Sequence, residues 1–112
     1  MSQNEQVSML DELLIDEYLR YEKNLKIQES VLSKDYVHGY ISKKTIKGRV
    51  YNYLQYKENG KIVSRYIKQG DISSLEEKLE QQNKIKKRIK QLKAGMRKIE
   101  KIIPKELIDE YR

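Results

Sequence analysis

The sequence has no cysteine, no tryptophan and no phenylalanine, and it holds one histidine and one proline in 112 residues. Each absence removes a class of chemistry. Without cysteine there are no disulfides, thiolate-bound zinc, iron–sulfur clusters or cysteine nucleophiles. The single histidine, His38, cannot build a multi-histidine metal site and reads as structural or surface-exposed. No apolar run approaches the length of a membrane span. The opening Met1-Ser2-Gln3-Asn4-Glu5 is polar and acidic, unlike the start of a signal peptide. There is no glycine-rich phosphate loop, and Asp11, Glu12, Asp16 and Glu17 follow a solvated helical pattern rather than that of a catalytic pair. The expectation is a cytoplasmic protein that is not an enzyme, with no cofactor, no metal and no membrane partner.

What is abundant is charge: 24 Lys and Arg against 17 Asp and Glu, a formal net charge of +7. A chain of this length buries roughly 65% of its unfolded surface, enough for one modest core, so residues 1–112 are expected to form a single domain. The charge is unevenly spread, with a net −4 over residues 1–32, +7 over 33–70 and +4 over 71–112.

Three patterns follow one another along the chain. Over residues 8–32, Leu10, Leu14, Tyr18, Tyr21, Leu25, Gln28 and Leu32 alternate in steps of four and three, which is the seam of an amphipathic helix. Ser8 with Asp11 fits its N-cap. Leu13, Ile15 and Leu19 widen the stripe, implying burial against more than one neighbour. Residues 36–68 change to aromatic and β-branched segments, which reads as a three-stranded antiparallel meander. Asn59-Gly60 marks a two-residue type I′ hairpin, and the basic link from Ser42 to Gly48 reads as a longer, mobile loop. Over residues 71–103 the helical period returns along Ile72, Leu75, Leu79, Gln82, Ile85, Ile89, Leu92, Met96, Ile99 and Ile103. The short step from Gln82 to Ile85 disturbs any strict supercoil. Gly95 inside this helix fits either close packing or a hinge. Pro104 ends the helix and can open a short terminal one over 104–112. The fold class is therefore α+β: a long helix, a meander, a long helix paired in coiled-coil fashion with the first, and a short helix. Since a helix of roughly 45 Å outruns one of roughly 36 Å, Leu92, Met96 and Ile99 are expected to lie uncovered and to join a homodimer interface.

The Asn59-Gly60 turn also sorts the sheet. Val50, Asn52, Leu54, Tyr56, Val63, Arg65 and Ile67 share the core face. Tyr51, Tyr53, Gln55, Lys57, Ile62, Ser64, Tyr66 and Lys68 share the other. Strand one adds Tyr36, His38 and Tyr40 to this second face and gives Val37 and Ile41 to the core. Tyrosines among lysines can stack bases and neutralise phosphates, and they can equally be half-buried under a helix. Two basic elements flank them: Lys43, Lys44, Lys47 and Arg49 in the link, and Lys84, Lys87, Arg88, Lys90, Lys93 and Arg97 on the helix. With Tyr51, Tyr53 and Tyr66, these are the candidate nucleic-acid-binding residues, and DNA or RNA is the expected partner. The acidic first helix can also neutralise part of the helix run within the fold. The leading function is a nucleic-acid-binding accessory protein of low sequence specificity, from a phage or mobile element. The alternative is a small protein-interaction or inhibitor module engaging a host protein through its helical pair and tyrosine-rich sheet.

The stretch Gly39-Tyr40-Ile41-Ser42, then Tyr51-Asn52-Tyr53-Leu54-Gln55-Tyr56-Lys57, then Gly60-Lys61-Ile62-Val63-Ser64-Arg65-Tyr66-Ile67 resembles an uncharacterised family of small bacterial and archaeal proteins. That family pairs a Gly-x-Ile/Leu-Ser start and a basic loop with a tyrosine-rich hairpin, usually followed by a helix rich in Glu and Lys. The resemblance runs over roughly residues 39–92, leaves the first helix outside, and implies no settled activity. Asn59 stands where a glycine is commoner, and still suits the turn. The hairpin is similar in form to the DNA-contacting arm domains of phage-type integrases, an analogy of shape only.

Overall fold

The computed structural model describes residues 8–112. Helix α1 (Met9–Ser33) is followed by strands β1 (Tyr40–Ile46), β2 (Arg49–Glu58) and β3 (Lys61–Tyr66), a 3₁₀ turn at Gln69–Asp71, helix α2 (Ile72–Glu100) and helix α3 (Lys105–Glu110). The sheet is an antiparallel meander in the order β1-β2-β3. The α+β architecture read from the periodicities is the one observed. The described residues group into two compact units. Asp35–Lys84 holds the sheet and the first part of α2, and the chain up to Lys34 joins Ile85–Arg112 in the other.

In the helical unit, Ser8 caps α1 with a capping box. The Asp11 N–H donates to Ser8 Oγ (3.1 Å), and the Ser8 N–H donates back to Asp11 Oδ2 (3.4 Å). The core is a cluster of Ile15, Tyr18, Ile99, Ile103 and Ile108, drawn from α1, the end of α2, the turn after it and α3. The widened apolar stripe of α1 therefore has two neighbours, as its pattern implies. Its buried line is shifted, however: Leu10 is 64% exposed while Ile15 is fully enclosed. The cause is α3, which brings Ile108 into the cluster that Ile15 occupies.

The expectation that Leu92, Met96 and Ile99 lie uncovered is overturned. Leu92 is 2% exposed, Ile99 is buried, and Met96 is half-buried against the same cluster. After α2 the chain turns through Lys101–Ile103, passes Pro104 and returns as α3, adding Leu107, Ile108 and Tyr111 to the cluster. Helix lengths alone leave this return out of account for Met96 and Ile99, which pack into that cluster; Leu92 is buried outside it. Gly95 is a packing glycine. A Cβ there would lie 2.7 Å from Cε2 of Tyr21, so the ring fills the space the missing methyl leaves.

Two polar contacts hold the three helices together. Arg112 is joined to Glu22 of α1 and to Asp109 of α3, its Nε donating to Asp109 Oδ1 at 2.9 Å. These two carboxylates hold the guanidinium above its ordinary pKa. The Tyr18 O–H donates to Glu100 Oε1 at 2.7 Å. Burial first, then this hydrogen bond and the field of Glu100, push the Tyr18 hydroxyl from 10.0 up to about 12. The stabilisation linked to that shift is complete below pH 10 and disappears as pH rises toward 12, because the folded state holds the proton that the unfolded chain releases. Tyr18→Phe should cost about 1–2 kcal/mol at neutral pH. Urea denaturation should show the gap to the unmodified protein closing between pH 10 and about 12. A gap that stays constant over this interval contradicts the assignment.

Candidate nucleic-acid interface

Two tight turns position the sheet unit. Asn59 and Gly60 have φ of 50° and 79°, and Lys47 and Gly48 have φ of 50° and 78°, so both hairpins close with the doubly positive φ of a type I′ turn. The first turn is the expected one, and its register is as expected: Tyr56 opposite Val63, Leu54 opposite Arg65, Tyr53 opposite Tyr66. The second replaces the mobile loop read over Ser42–Gly48. β1 continues to Ile46, and only Lys47 and Gly48 lie outside the ladder. β1 also begins at Tyr40 rather than Tyr36, because Gly39 takes φ of 104° and breaks the extended chain. Tyr36 and His38 form an edge-to-face pair ahead of the strand, with ring centroids 4.6 Å apart.

Alternation then assigns the side chains. Tyr40, Ser42 and Lys44 pair with Gln55, Tyr53 and Tyr51, and Ile46 pairs with Arg49. These residues share a face with Lys57, Ile62, Ser64 and Tyr66. No carboxylate lies among them. Tyr53 and Tyr66 meet edge to face at 5.8 Å, Tyr51 and Tyr66 are tilted at 6.4 Å, and Lys44 Nζ sits 4.9 Å above the Tyr53 ring. Tyr66 is 54% and Tyr40 61% exposed, while Tyr51 and Tyr53 are half-buried. Next to the rings runs a polar ladder across all three strands. The Tyr40 O–H donates to Gln55 Oε1 (2.6 Å), and Gln55 Nε2 donates to Ser64 Oγ (3.1 Å). Beyond it lies an open groove of about 410 Å³ lined by His38, Gly39, Tyr40, Gln55, Lys57 and Ile62, among others.

The opposite face carries Ile41, Lys43, Asn52, Leu54, Tyr56 and Val63, and the chain beyond β3 buries Ile67, whose N–H donates to the Asn52 carbonyl at 2.9 Å. The Asn52 side-chain oxygen is enclosed without a hydrogen-bond partner. Gln82 anchors α2 to this unit. Its Oε1 accepts from the Val37 N–H (2.8 Å) and its Nε2 donates to the Val37 carbonyl (3.1 Å). A side-chain amide thus pairs one peptide as a neighbouring strand would, which is why an amide sits in an otherwise apolar seam. Removing it leaves two backbone groups to be satisfied elsewhere, at about 1–3 kcal/mol for each that stays buried.

The structure gathers Lys44, Arg49, Tyr51, Tyr53 and Tyr66 on one face. Lys47 lies at the hairpin tip and Lys43 on the opposite face. The helix cations belong to α2. Lys84 pairs with Glu80 at 3.6 Å, and Lys93 reaches Glu29 of α1 at 4.0 Å, so the acidic helix neutralises part of the run. Lys87, Arg88, Lys90 and Arg97 are exposed. Sequence reasoning missed the Gln55 ladder and the groove. The signal was the two-residue spacing of Gly48 from Ile46, which fixes β1 against β2. Among the described residues no cluster of side chains suits a metal ion, and no helix is long and apolar enough to cross a membrane.

The chain belongs to a domain family described as a domain of unknown function (DUF6788), which matches residues 14–77. The match takes in most of α1, which the sequence resemblance left outside, and ends in the first turns of α2. Comparison with curated proteins and with solved structures gave no match.

Gly39 lies within the matched span and closes the floor of the groove. A Cβ built on it would fall 2.1 Å from the Gln55 carbonyl oxygen and 2.9 Å from Tyr56 Cβ. Gly39→Ala therefore adds overpacking against β2 to the strain of a positive φ, and should cost about 3 kcal/mol in urea denaturation. Gly60→Ala, whose added Cβ meets nothing within 4 Å, should cost about 1 kcal/mol. Equal losses at the two positions contradict the close approach of Gly39 to β2.

Proposed function

We propose that this member of the DUF6788 family is a nucleic-acid-binding protein of low sequence specificity, acting by binding rather than catalysis. One observation carries the reading: the register sorts Lys44, Arg49 and Lys57 together with Tyr51, Tyr53 and Tyr66 onto one face that holds no carboxylate and on which the three cations and Tyr66 are exposed. A positive face with π surfaces suits a polyanion whose bases can stack. The contacts proposed are with phosphates and ring faces rather than base edges, so sequence preference should be weak. Lys47 at the hairpin tip and Lys43 behind it extend the positive field around the turn. The exposed cations of α2 add a second, separate source of attraction.

Two quadruple variants separate these sources. Lys43, Lys44, Lys47 and Arg49 changed to glutamine should weaken binding and flatten its dependence on salt, each lost phosphate contact lowering the slope by about 0.7–0.9. Lys87, Arg88, Lys90 and Arg97 changed to glutamine should lower the slope by less. The readout is fluorescence anisotropy of labelled oligonucleotides at several salt concentrations. Absence of binding at low salt up to about 100 μM, a range that includes ordinary non-specific affinities, overturns the proposal.

A further inference from the structure

We infer that the tyrosine face takes a single strand rather than a duplex, and that the groove beside Gly39 is the subsite for one nucleotide at the end of that strand. The inference rests on the nucleic-acid reading above and specifies its ligand.

The ring positions favour a single strand. In a duplex the base faces are stacked inside the helix, so the tyrosines would meet only backbone. On a single strand each base offers a free face. The hairpin tip could enter a duplex groove, since a two-stranded ribbon fits the major groove. The exposed tyrosines, however, lie on the body of the sheet, at Tyr40 and Tyr66, with the half-buried Tyr53 between them. Along β2 the same face presents Arg49, Tyr51, Tyr53, Gln55 and Lys57 at intervals of about 6.8 Å. A cation therefore stands at each end of a row with aromatic rings and one amide between. This arrangement suits an extended strand of about four nucleotides, the lower end of known site sizes.

The groove closes one end of the row. At about 410 Å³ it falls in the size range of small-ligand sites. Its floor is backbone, because Gly39 lies against β2 too closely to admit a Cβ. Tyr40 supplies a ring that is 61% exposed, and Ile62, 69% exposed, supplies an apolar wall. Lys57 supplies the charge for a phosphate. Gln55 gives the site its polar edge. The Tyr40 hydroxyl and Ser64 Oγ fix its amide from both sides. One Nε2 hydrogen and one Oε1 lone pair are still left for a ligand. A fixed donor beside a fixed acceptor matches the edge of a nucleobase. Ring, amide pair and ammonium together fit a base with its phosphate.

The test is a set of anisotropy titrations of the full chain with labelled 12-nucleotide oligo(dT), oligo(U) and a hairpin duplex, together with competition by unlabelled tetranucleotides. Single strands should bind at least about tenfold more tightly than the duplex, and the tighter of oligo(dT) and oligo(U) identifies DNA or RNA as the ligand. Tyr40→Ala and Lys57→Gln change exposed side chains and should each weaken tetranucleotide binding about five- to tenfold, the effect of losing one stacked base or one phosphate contact. Tyr40→Phe keeps the ring and should retain most of the affinity. Circular dichroism and urea midpoints confirm that the variants fold. Duplex binding equal to or tighter than single-strand binding overturns the inference and leaves the nucleic-acid reading standing. So does tetranucleotide binding that Tyr53→Ala weakens while Tyr40→Ala and Lys57→Gln do not. Absence of binding to every probe overturns both.

Discussion

The organisation of the sheet depends on the backbone at four residues. Lys47 and Gly48 close one hairpin, Asn59 and Gly60 the other, all four at positive φ. A two-residue turn of this kind leaves no freedom in the pairing register, and a strand's side chains alternate with a period of two. A slip of one residue would therefore exchange the faces. Tyr51, Tyr53 and Tyr66 would then turn to the side now held by Leu54 and Val63, and the lysines beside them would move as well. The chemistry of the exposed face is thus set by turn geometry before any side chain makes a contact. The backbone strain of Lys47, a non-glycine residue at positive φ, is the local cost of this arrangement.

The helical unit solves a different problem with similar economy of parts. At the end of α2, the turn after it and α3 complete the cover that α1 begins. Ile103 and Ile108 complete the cluster with Ile15, Tyr18 and Ile99, while Arg112 ties α3 back to Glu22 of α1. In the sheet unit, Gln82 plays the corresponding role by pairing with both polar groups of Val37. Each unit is thus fastened by a side chain whose hydrogen-bonding capacity matches the groups it meets.

The elements, their order and the β2–β3 register were legible in the sequence because each rests on a local signal: helical spacing, strand alternation, Asn-Gly at a turn. The Ser8 cap was legible for the same reason. What escaped was set by tertiary placement. Lys47-Gly48 lacks the asparagine that makes Asn59-Gly60 conspicuous, so a tight turn was read as a loop and the pairing of Lys44 with Tyr51 went unseen. Gln82 takes its place in the helical seam by spacing, but its role is not legible there, since its partner is a backbone group 45 residues away. The burial of Met96 and Ile99 depends on the return of α3 to their cluster, which helix length alone does not show. Of the candidate site, residue types and facing were legible. The Gln55 ladder and the groove beside Gly39 require the β1–β2 register, and appear only with it.

The central claim is that the tyrosine face of the sheet is the principal contact for nucleic acid, with the other cations adding only general attraction. The most direct measurement is NMR mapping of an isotopically labelled chain titrated with a short single-stranded oligonucleotide, following aromatic and methyl signals together. The account predicts progressive shifts of the Tyr40, Tyr51, Tyr53 and Tyr66 rings and of the Ile62 methyls, with Leu54 and Val63 unmoved. Shifts confined to the Leu54 and Val63 face, or to the helix between Lys84 and Lys98, would contradict it.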